Sequence, residues 1–457
     1  MLERVHILGI CGTFMGGVAL LARELGYRVS GSDTNVYPPM SSMLEDAGIE
    51  ISEGYSPEHL VPAPDLVVIG NALSRGNACV EYVLNQKIPY ISGPQWLGEL
   101  LTDRWVMAVS GTHGKTTTSS MLTWILQCAG ENPGFLVGGV PFGFEGSARL
   151  GSGPFVVEVD EYDSAFFDKR SKFVHYKPKT LVINNLEFDH ADIFDDLAAI
   201  QTQFHHLIRC VPSSGKIVAG EGEAIDGVLR RGVWTPVERM GSSDTNTWSV
   251  DALTKSYSQL SIQAPDGECC EFAWSLIGRH NAENALSAIA AAFDVGVPVH
   301  VSCEALSQFQ GVKRRLELLG EPAGVSVYDD FAHHPTAIAS TLLGVRSLVE
   351  EARVIAVVEL RSNTMKDGTH RSALMPATES ANTVFWFQPE GAQWSLRDNT
   401  QNDPRHHVFN TVGALHDALI AELQAGDHVV IMSNGSFSGL HQQLLQSLTD
   451  SASNTEY

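Results

Sequence analysis

The stretch Trp105–Thr118, "WVMAVSGTHGKTTT", decides how the chain is read. An apolar run of strand length ends at Ser110, a glycine-containing turn follows, and "SSMLTWILQCAG" continues with helical character. A strand–turn–helix with this chemistry suits a triphosphate. Glycines let backbone N–H groups face the anion, a lysine reaches the terminal phosphates, and a hydroxyl can ligate Mg2+. Gly111, Gly114, Lys115 and Thr116 supply these parts, with Thr112, His113 and Thr117 between and beside them. The helix N-terminus adds partial positive charge. The common G-x-x-x-x-G-K-[ST] spacing fails, because Val109 stands five residues before Gly114. The cluster is thus either a shorter phosphate loop or a Gly/Thr turn that caps a helix.

Bulk properties narrow the setting. A chain of 457 residues has room for about three domains of roughly 150 residues each. Apolar residues at 44% and charged residues at 18% describe an ordinary globular protein. No apolar segment has the length of a membrane span and the N-terminus lacks signal-peptide character, so a cytoplasmic protein is expected. Seven cysteines without C-x-x-C spacing give neither a disulfide framework nor a zinc motif. A net charge of -23 argues against nucleic acid or an anionic membrane as partner, since both require a basic face.

Outward from the loop, the chain repeats a strand-then-helix rhythm, which argues an α/β fold with mostly parallel sheets. Three units are expected: 1–103, 104–309 and 310–457. In the first, apolar runs at His6–Ile10, Tyr27–Ser30 and Leu66–Ile69 alternate with helical segments. In the second, a Ser/Thr-rich stretch from Met240 to about Trp274 suggests an antiparallel excursion, followed by the helix in "SLIGRHNAENALSAIAAAFDVGV". The third opens near Gln310, with Pro335 suited to a helix start. The final "DSASNTEY" reads as a loose tail.

Two further strands of the middle unit end in ligand-type residues. "FVVEV" runs into Asp160, Glu161 and Asp163, and "TLVINN" runs into Glu187, Asp189 and His190. In a parallel sheet such carboxyl ends share one edge, where α/β proteins bind ligands. Each acid alone is most simply a solvated loop charge; three strand ends together with a lysine and a threonine point to a site.

These motifs, with "GICGTFMGGVA", "EVDEYDSAF", "NNLEFDHADIF", "IGRHNAENA", "GVKRRLELLG" and "DDFAHHPTAI", resemble the Mur ligases across nearly the whole chain. That family uses the short "GTHGKTTT" loop. The resemblance implies three α/β domains binding UDP-sugar, ATP and amine substrate in turn. It also implies a two-step reaction, in which ATP phosphorylates a muramoyl carboxylate and the amine then displaces phosphate. "EYDSAFFDKRSKFVHYKPKTLVINNLEFDHADIF" and "LRSNTMKDGTHRSALMPA" resemble the members that join L-Ala-γ-D-Glu-meso-diaminopimelate to UDP-N-acetylmuramate in peptidoglycan recycling. The alternative is the member that adds L-alanine to the same acceptor. A dinucleotide oxidoreductase leaves the central and last motifs unexplained.

By the same resemblance, Lys115 holds the β and γ phosphates and Thr116 a Mg2+ ion, Glu161 and His190 carry metal near the acyl phosphate, and Arg315 meets the γ phosphate. Lys115, Glu161, His190 and Arg315 form the implied catalytic set. Asn281 meets adenine or caps the helix after it, and Asp330 and His333 reach ribose and phosphates. Arg315 could instead form a surface ion pair with Glu317. Gly9, Gly12, Thr13, Met15, Ser32, Asp33 and Asn71 are candidates for UDP, with Met15 equally suited to packing. Arg361, Ser362 and Asn363 are candidates for the peptide carboxylates, or lie in a plain connecting loop. Some relatives carry a carbamylated lysine 14 or 15 residues after the metal histidine; here Phe204 and His205 stand there. The expected assembly is a monomer or weak homo-oligomer.

Overall fold

The computed structural model describes residues 3–37, 40–189, 193–241, 247–400 and 403–455. Four sheets account for most of its architecture.

The first is five-stranded and parallel, in the order Glu50–Glu53, Arg28–Asp33, Arg4–Leu8, Leu66–Ile69, Tyr90–Ser92. Its central strands, RVHIL and LVVI, are apolar because both their faces are covered, and Ile7, Leu8, Val67, Val68 and Ile69 are fully buried. The helix Thr13–Glu24 follows the central strand, with Gly12 at its N-cap.

The middle sheet has seven strands, ordered Val237–Arg239, Lys216–Ala219, Thr180–Ile183, Val106–Ser110, Phe155–Glu158, Gly134–Leu136, Ala148–Arg149. All neighbours are parallel except the last pair. The strand Val106–Ser110 lies between the two strands whose ends carry the ligand-type residues, with Ser110 opposite Ile183 and Val109 opposite Glu158. Three successive carboxyl ends therefore open onto one edge.

The Ser/Thr-rich stretch forms a three-stranded antiparallel sheet, Ser249–Ala252, Gln259–Gln263, Cys269–Ala273. Beside it the alanine-rich helix Arg279–Asp294 packs on the phosphate-loop helix Lys115–Cys128. Ala282, Ala285 and Ala288 on one helix, and Ser119, Ser120 and Thr123 on the other, are buried. Small side chains permit close approach, and that contact carries Asn281 and Asn284 up to the loop.

The last sheet runs Glu317–Gly320, Ser326–Asp330, His428–Met432, Val354–Glu359, Thr383–Phe387, His406–Phe409, with only the first strand antiparallel. Separate apolar clusters cover its two faces. The helix Pro335–Val349 begins at Pro335, as the sequence suggests. The C-terminal helix runs Leu440–Thr455. The expected loose tail is thus a continuation of that helix for most of its length. No helix among the described residues is long and apolar enough to cross a membrane.

Candidate active site

The phosphate loop is a strained turn that only glycine tolerates at two places. Gly111 has φ 132° and Gly114 φ 79°. A Cβ on Gly114 would strike Asn284 and Asn184 side-chain atoms. The loop is clamped from the neighbouring strand: Asn185 Oδ1 accepts the His113 amide at 2.8 Å, its carbonyl accepts the Thr112 amide at 3.2 Å, and its Nδ2 donates to the His113 carbonyl at 3.2 Å. Thr118 donates to Asn284 Oδ1 at 3.1 Å and accepts from Asn184 Nδ2 at 2.9 Å. The backbone that would cradle an anion is therefore built in advance.

Lys115 folds over this turn, its Nζ donating to the Gly111 and Thr112 carbonyls at 2.7 and 3.3 Å. Thr116 Oγ1 donates to Glu158 Oε1 at 3.0 Å and accepts from an Arg315 terminal nitrogen at 3.0 Å. The other Glu158 oxygen accepts the Gly138 amide at 2.6 Å. A threonine hydroxyl beside a carboxylate, both hard oxygen donors, fits Mg2+ in a phosphate site.

Arg315 is no surface residue. Its guanidinium lies 4.7 Å from the centre of the Phe331 ring, and burial lowers its pKa against the opposing pull of Asp330 and Glu158. The expected alternative pairing with Glu317 does not form; Glu317 Oε2 accepts the Arg314 amide instead. Asp330 is also buried, which raises its pKa. Its oxygens accept the amides of Leu316 and Ala332 at 2.7 and 2.8 Å and the Thr341 hydroxyl at 3.2 Å. In this state it organises the loop carrying Arg315, and its carboxylate is committed to that backbone.

A cavity of about 760 Å³ gathers Thr112, His113, Gly114, Lys115, Thr116, Thr117, Asn281, Arg315, Asp330 and His333 on its walls. Asn281 does not cap its helix: Gly278 holds that position with φ 86°, and Asn281 Nδ2 donates to the Ile277 carbonyl at 2.8 Å. Burial drives the neighbouring His280 pKa down to about 4, so its ring is neutral at ordinary pH. A second cavity of about 260 Å³ is lined by Arg361, Ser362, Asn363, Thr364, Tyr162 and Asn434, and shares Asp189 and His333 with the first. The loop "LRSNTMKDG" is thus a cavity wall. Ser362 caps the short helix Asn363–Asp367, accepting the Met365 amide.

Glu161 is buried and lines neither cavity, and His190 lies outside the described residues. His205 is half-buried, 3.2 Å from the Gly232 carbonyl, and His206 is exposed.

In the first sheet, Gly12, Thr13 and Asn71 are exposed around the helix N-terminus, and Gly9 turns with φ 81°. Three candidates there are internal braces. Asp33 accepts the amides of Cys11 and Asn35 at 2.9 and 3.0 Å. Ser32 bonds the rings of His6 and His59 at 2.9 and 3.1 Å. Met15 is buried in the core, its sulfur packed where a Cβ on Gly93 would lie. Each is already partnered or packed, which explains their place in the fold without a ligand.

Sequence reasoning missed Glu158, Asn184, Asn185, Asn284, His334 and Thr336. Glu158 had a readable signal: it ends the strand that pairs with the phosphate-loop strand. The others depend on which elements pack together.

Family models match three successive segments: "Mur ligase family, catalytic domain" over residues 4–105, "Mur ligase middle domain" over 109–292, and "Mur ligase, glutamate ligase domain" over 314–435. A UDP-N-acetylmuramate–L-alanyl-gamma-D-glutamyl-meso-2,6-diaminoheptandioate ligase of Escherichia coli is 53% identical over 454 residues, 98% of this chain and 99% of that one. A UDP-N-acetylmuramate–L-alanine ligase of Myxococcus xanthus is 30% identical over 464 residues, 97% and 95% of the two chains. The crystal structure of a murein peptide ligase from Psychrobacter arcticus superposes with TM-score 0.77 at 47% identity, covering 98% of this chain and 99% of that one. With its phosphate loop, the arginine held against it and three consecutive family segments all in place, the chain belongs to the Mur ligase family.

Proposed function

We propose that this protein is an ATP-dependent ligase joining L-Ala-γ-D-Glu-meso-diaminopimelate to UDP-N-acetylmuramate through an acyl phosphate, in peptidoglycan recycling. The observation that carries the reading is the pair of adjoining cavities. One is walled by the phosphate loop and the other by Arg361–Thr364, and Asp189 and His333 stand between them. The 53% identity to a tripeptide ligase, against 30% to an alanine ligase of similar coverage, supports the tripeptide over the single amino acid. The reading divides the chain into 1–103 for the UDP-sugar, 104–309 for ATP and 310–457 for the peptide.

The chemical obstacle is bringing one anion onto another. Two unit charges ~4 Å apart repel by about 1 kcal/mol in water and roughly 4 kcal/mol at an effective dielectric of 20. Fixed cations and backbone dipoles must be in place before the substrates meet. Lys115 would exchange the Gly111 and Thr112 carbonyls for β- and γ-phosphate oxygens. Arg315, half-buried beside the loop, would exchange the Thr116 hydroxyl for a γ-phosphate oxygen. Thr116 and Glu158 would hold Mg2+, which neutralises phosphate charge when bound. The exposed Gly12–Thr13 helix start would take the diphosphate of the sugar nucleotide. Arg361 would hold a peptide carboxylate by charge-assisted hydrogen bonds, aiming the amine through the wall shared by the two cavities.

The acyl phosphate is tested by isotope transfer. With 18O in the sugar-acid carboxylate, one label should leave in the released phosphate while the amide forms. Phosphate free of label, at full amide yield, would contradict the mechanism.

A further inference from the structure

In the wall of the triphosphate cavity, three metal-type side chains from three separate elements meet. His113 comes from the phosphate loop, Glu187 from beyond the strand Thr180–Ile183, and His334 from the N-cap of the helix Pro335–Val349 in the last sheet's layer. His113 Nε2 is 3.3 Å from Glu187 Oε2, and His334 Nδ1 is 3.9 Å from the same oxygen. One donor atom from each lies within 4.8 Å of the others. None of the three is Thr116, Glu158, Glu161 or His190.

We propose that His113, Glu187 and His334 form a binding site for a transition-series dication, Zn2+ by chemistry, that clips the phosphate loop to the last sheet's layer. A tetrahedral ion with ligand bonds of roughly 2.0–2.1 Å holds its donors about 3.3 Å apart. Donor separations of 3.3 and 3.9 Å, with all three atoms within 4.8 Å of one another, close to that value by side-chain rotation. Two imidazoles and one carboxylate select zinc, cobalt or nickel over magnesium and calcium, which take oxygen shells.

The surroundings fit a cation. His334 is 7% exposed, and its Nε2 is buried with no hydrogen-bond partner. The His113 and His370 rings flank it at 4.7 and 4.6 Å between centroids, and His370 Nε2 is likewise buried and unpartnered. A neutral His334 ring whose Nδ1 accepts from Thr336 carries its proton on Nε2, which is the tautomer that binds a dication through Nδ1. Present contacts are exchangeable: His334 Nδ1 accepts the Thr336 amide at a long 3.3 Å, and Glu187 Oε2 accepts the Thr336 hydroxyl at 2.8 Å. Three protein donors leave one tetrahedral position for water or a phosphate oxygen.

The test uses the full chain, stripped with chelator and titrated with Co2+ alone, then with Zn2+ alone. One equivalent of Co2+ should give the visible bands of four-coordinate cobalt and be displaced by Zn2+. Glu187→Gln and His334→Gln should each weaken Zn2+ binding at least tenfold by calorimetry, with Glu187→Gln melting near the parent temperature. Since His334→Gln also removes a helix cap, Glu187→Gln is the deciding variant. Absence of a stoichiometric equivalent, unchanged affinity in Glu187→Gln, or a thiolate-to-cobalt charge-transfer band placing the ion on the cysteines would overturn the proposal.

Discussion

Arg315 and Thr116, 199 residues apart in sequence, are joined by a 3.0 Å hydrogen bond that ties the start of the last sheet's segment to the phosphate-loop helix. The guanidinium is half-buried over Phe331 and faces Asp330 and Glu158. Lysine cannot reproduce a planar, stacked, multi-donor group. Arg315→Lys should therefore lower kcat by about 100-fold or more, near 3 kcal/mol of transition-state stabilisation. Steady-state kinetics at saturating ATP check this; a loss under threefold would remove Arg315 from the γ-phosphate role.

Gly114→Ala tests the loop itself. The residue sits at φ 79°, and its Cβ would meet Asn284 and Asn184. A strained backbone position costs about 1–3 kcal/mol. The variant should melt at lower temperature and lose ATP binding by calorimetry. Parent-like affinity for ATP would show that the loop does not hold the phosphates.

Arg361 lines only the smaller cavity, so its removal distinguishes the two substrates. A hydrogen bond to a charged group contributes about 1.5–3 kcal/mol. Arg361→Ala should raise KM for the tripeptide by at least tenfold and leave KM for ATP within about twofold. Equal effects on both would instead indicate a general collapse of the last sheet's edge.

The first sheet carries a pH signature. His6 is 2% exposed, bonded to Ser30 and Ser32, and burial followed by the charge of His59 lowers its pKa from 6.5 to about 4. A group whose folded pKa is depressed contributes stability that is present above 6.5 and lost as pH falls toward 4. The loss from this residue is of order 3 kcal/mol at the acid end. Melting curves from pH 7 to 4 should flatten in His6→Gln, whatever its absolute stability. An unchanged slope would mean that the fold does not depress the His6 pKa.

The sheets were legible because strands buried on both faces read as continuous Val/Ile runs. "LVVI" gave Leu66–Ile69 and "TVFWF" gave Thr383–Phe387 at the same limits. The loop residues from Thr112 to Thr117 were legible because each has a local chemical reason to be there. Less visible were contacts made by packing. Asn284 reaches the loop only because an alanine-rich helix lies close against it, and Thr336 reaches Glu187 only because the last sheet's layer docks there. Asp33 and Met15 occupy a strand end and a helix face where an internal brace and an external contact carry the same sequence pattern.

The amine substrate of this ligase, on the proposed function, is a tripeptide. The most direct measurement gives the protein ATP, Mg2+, UDP-N-acetylmuramate and equal amounts of L-Ala-γ-D-Glu-meso-diaminopimelate and L-alanine, and weighs the products by mass spectrometry. The tripeptide adduct should dominate, with one ADP formed per amide bond. A predominant L-alanyl adduct, or amide formed without ADP, would contradict the account.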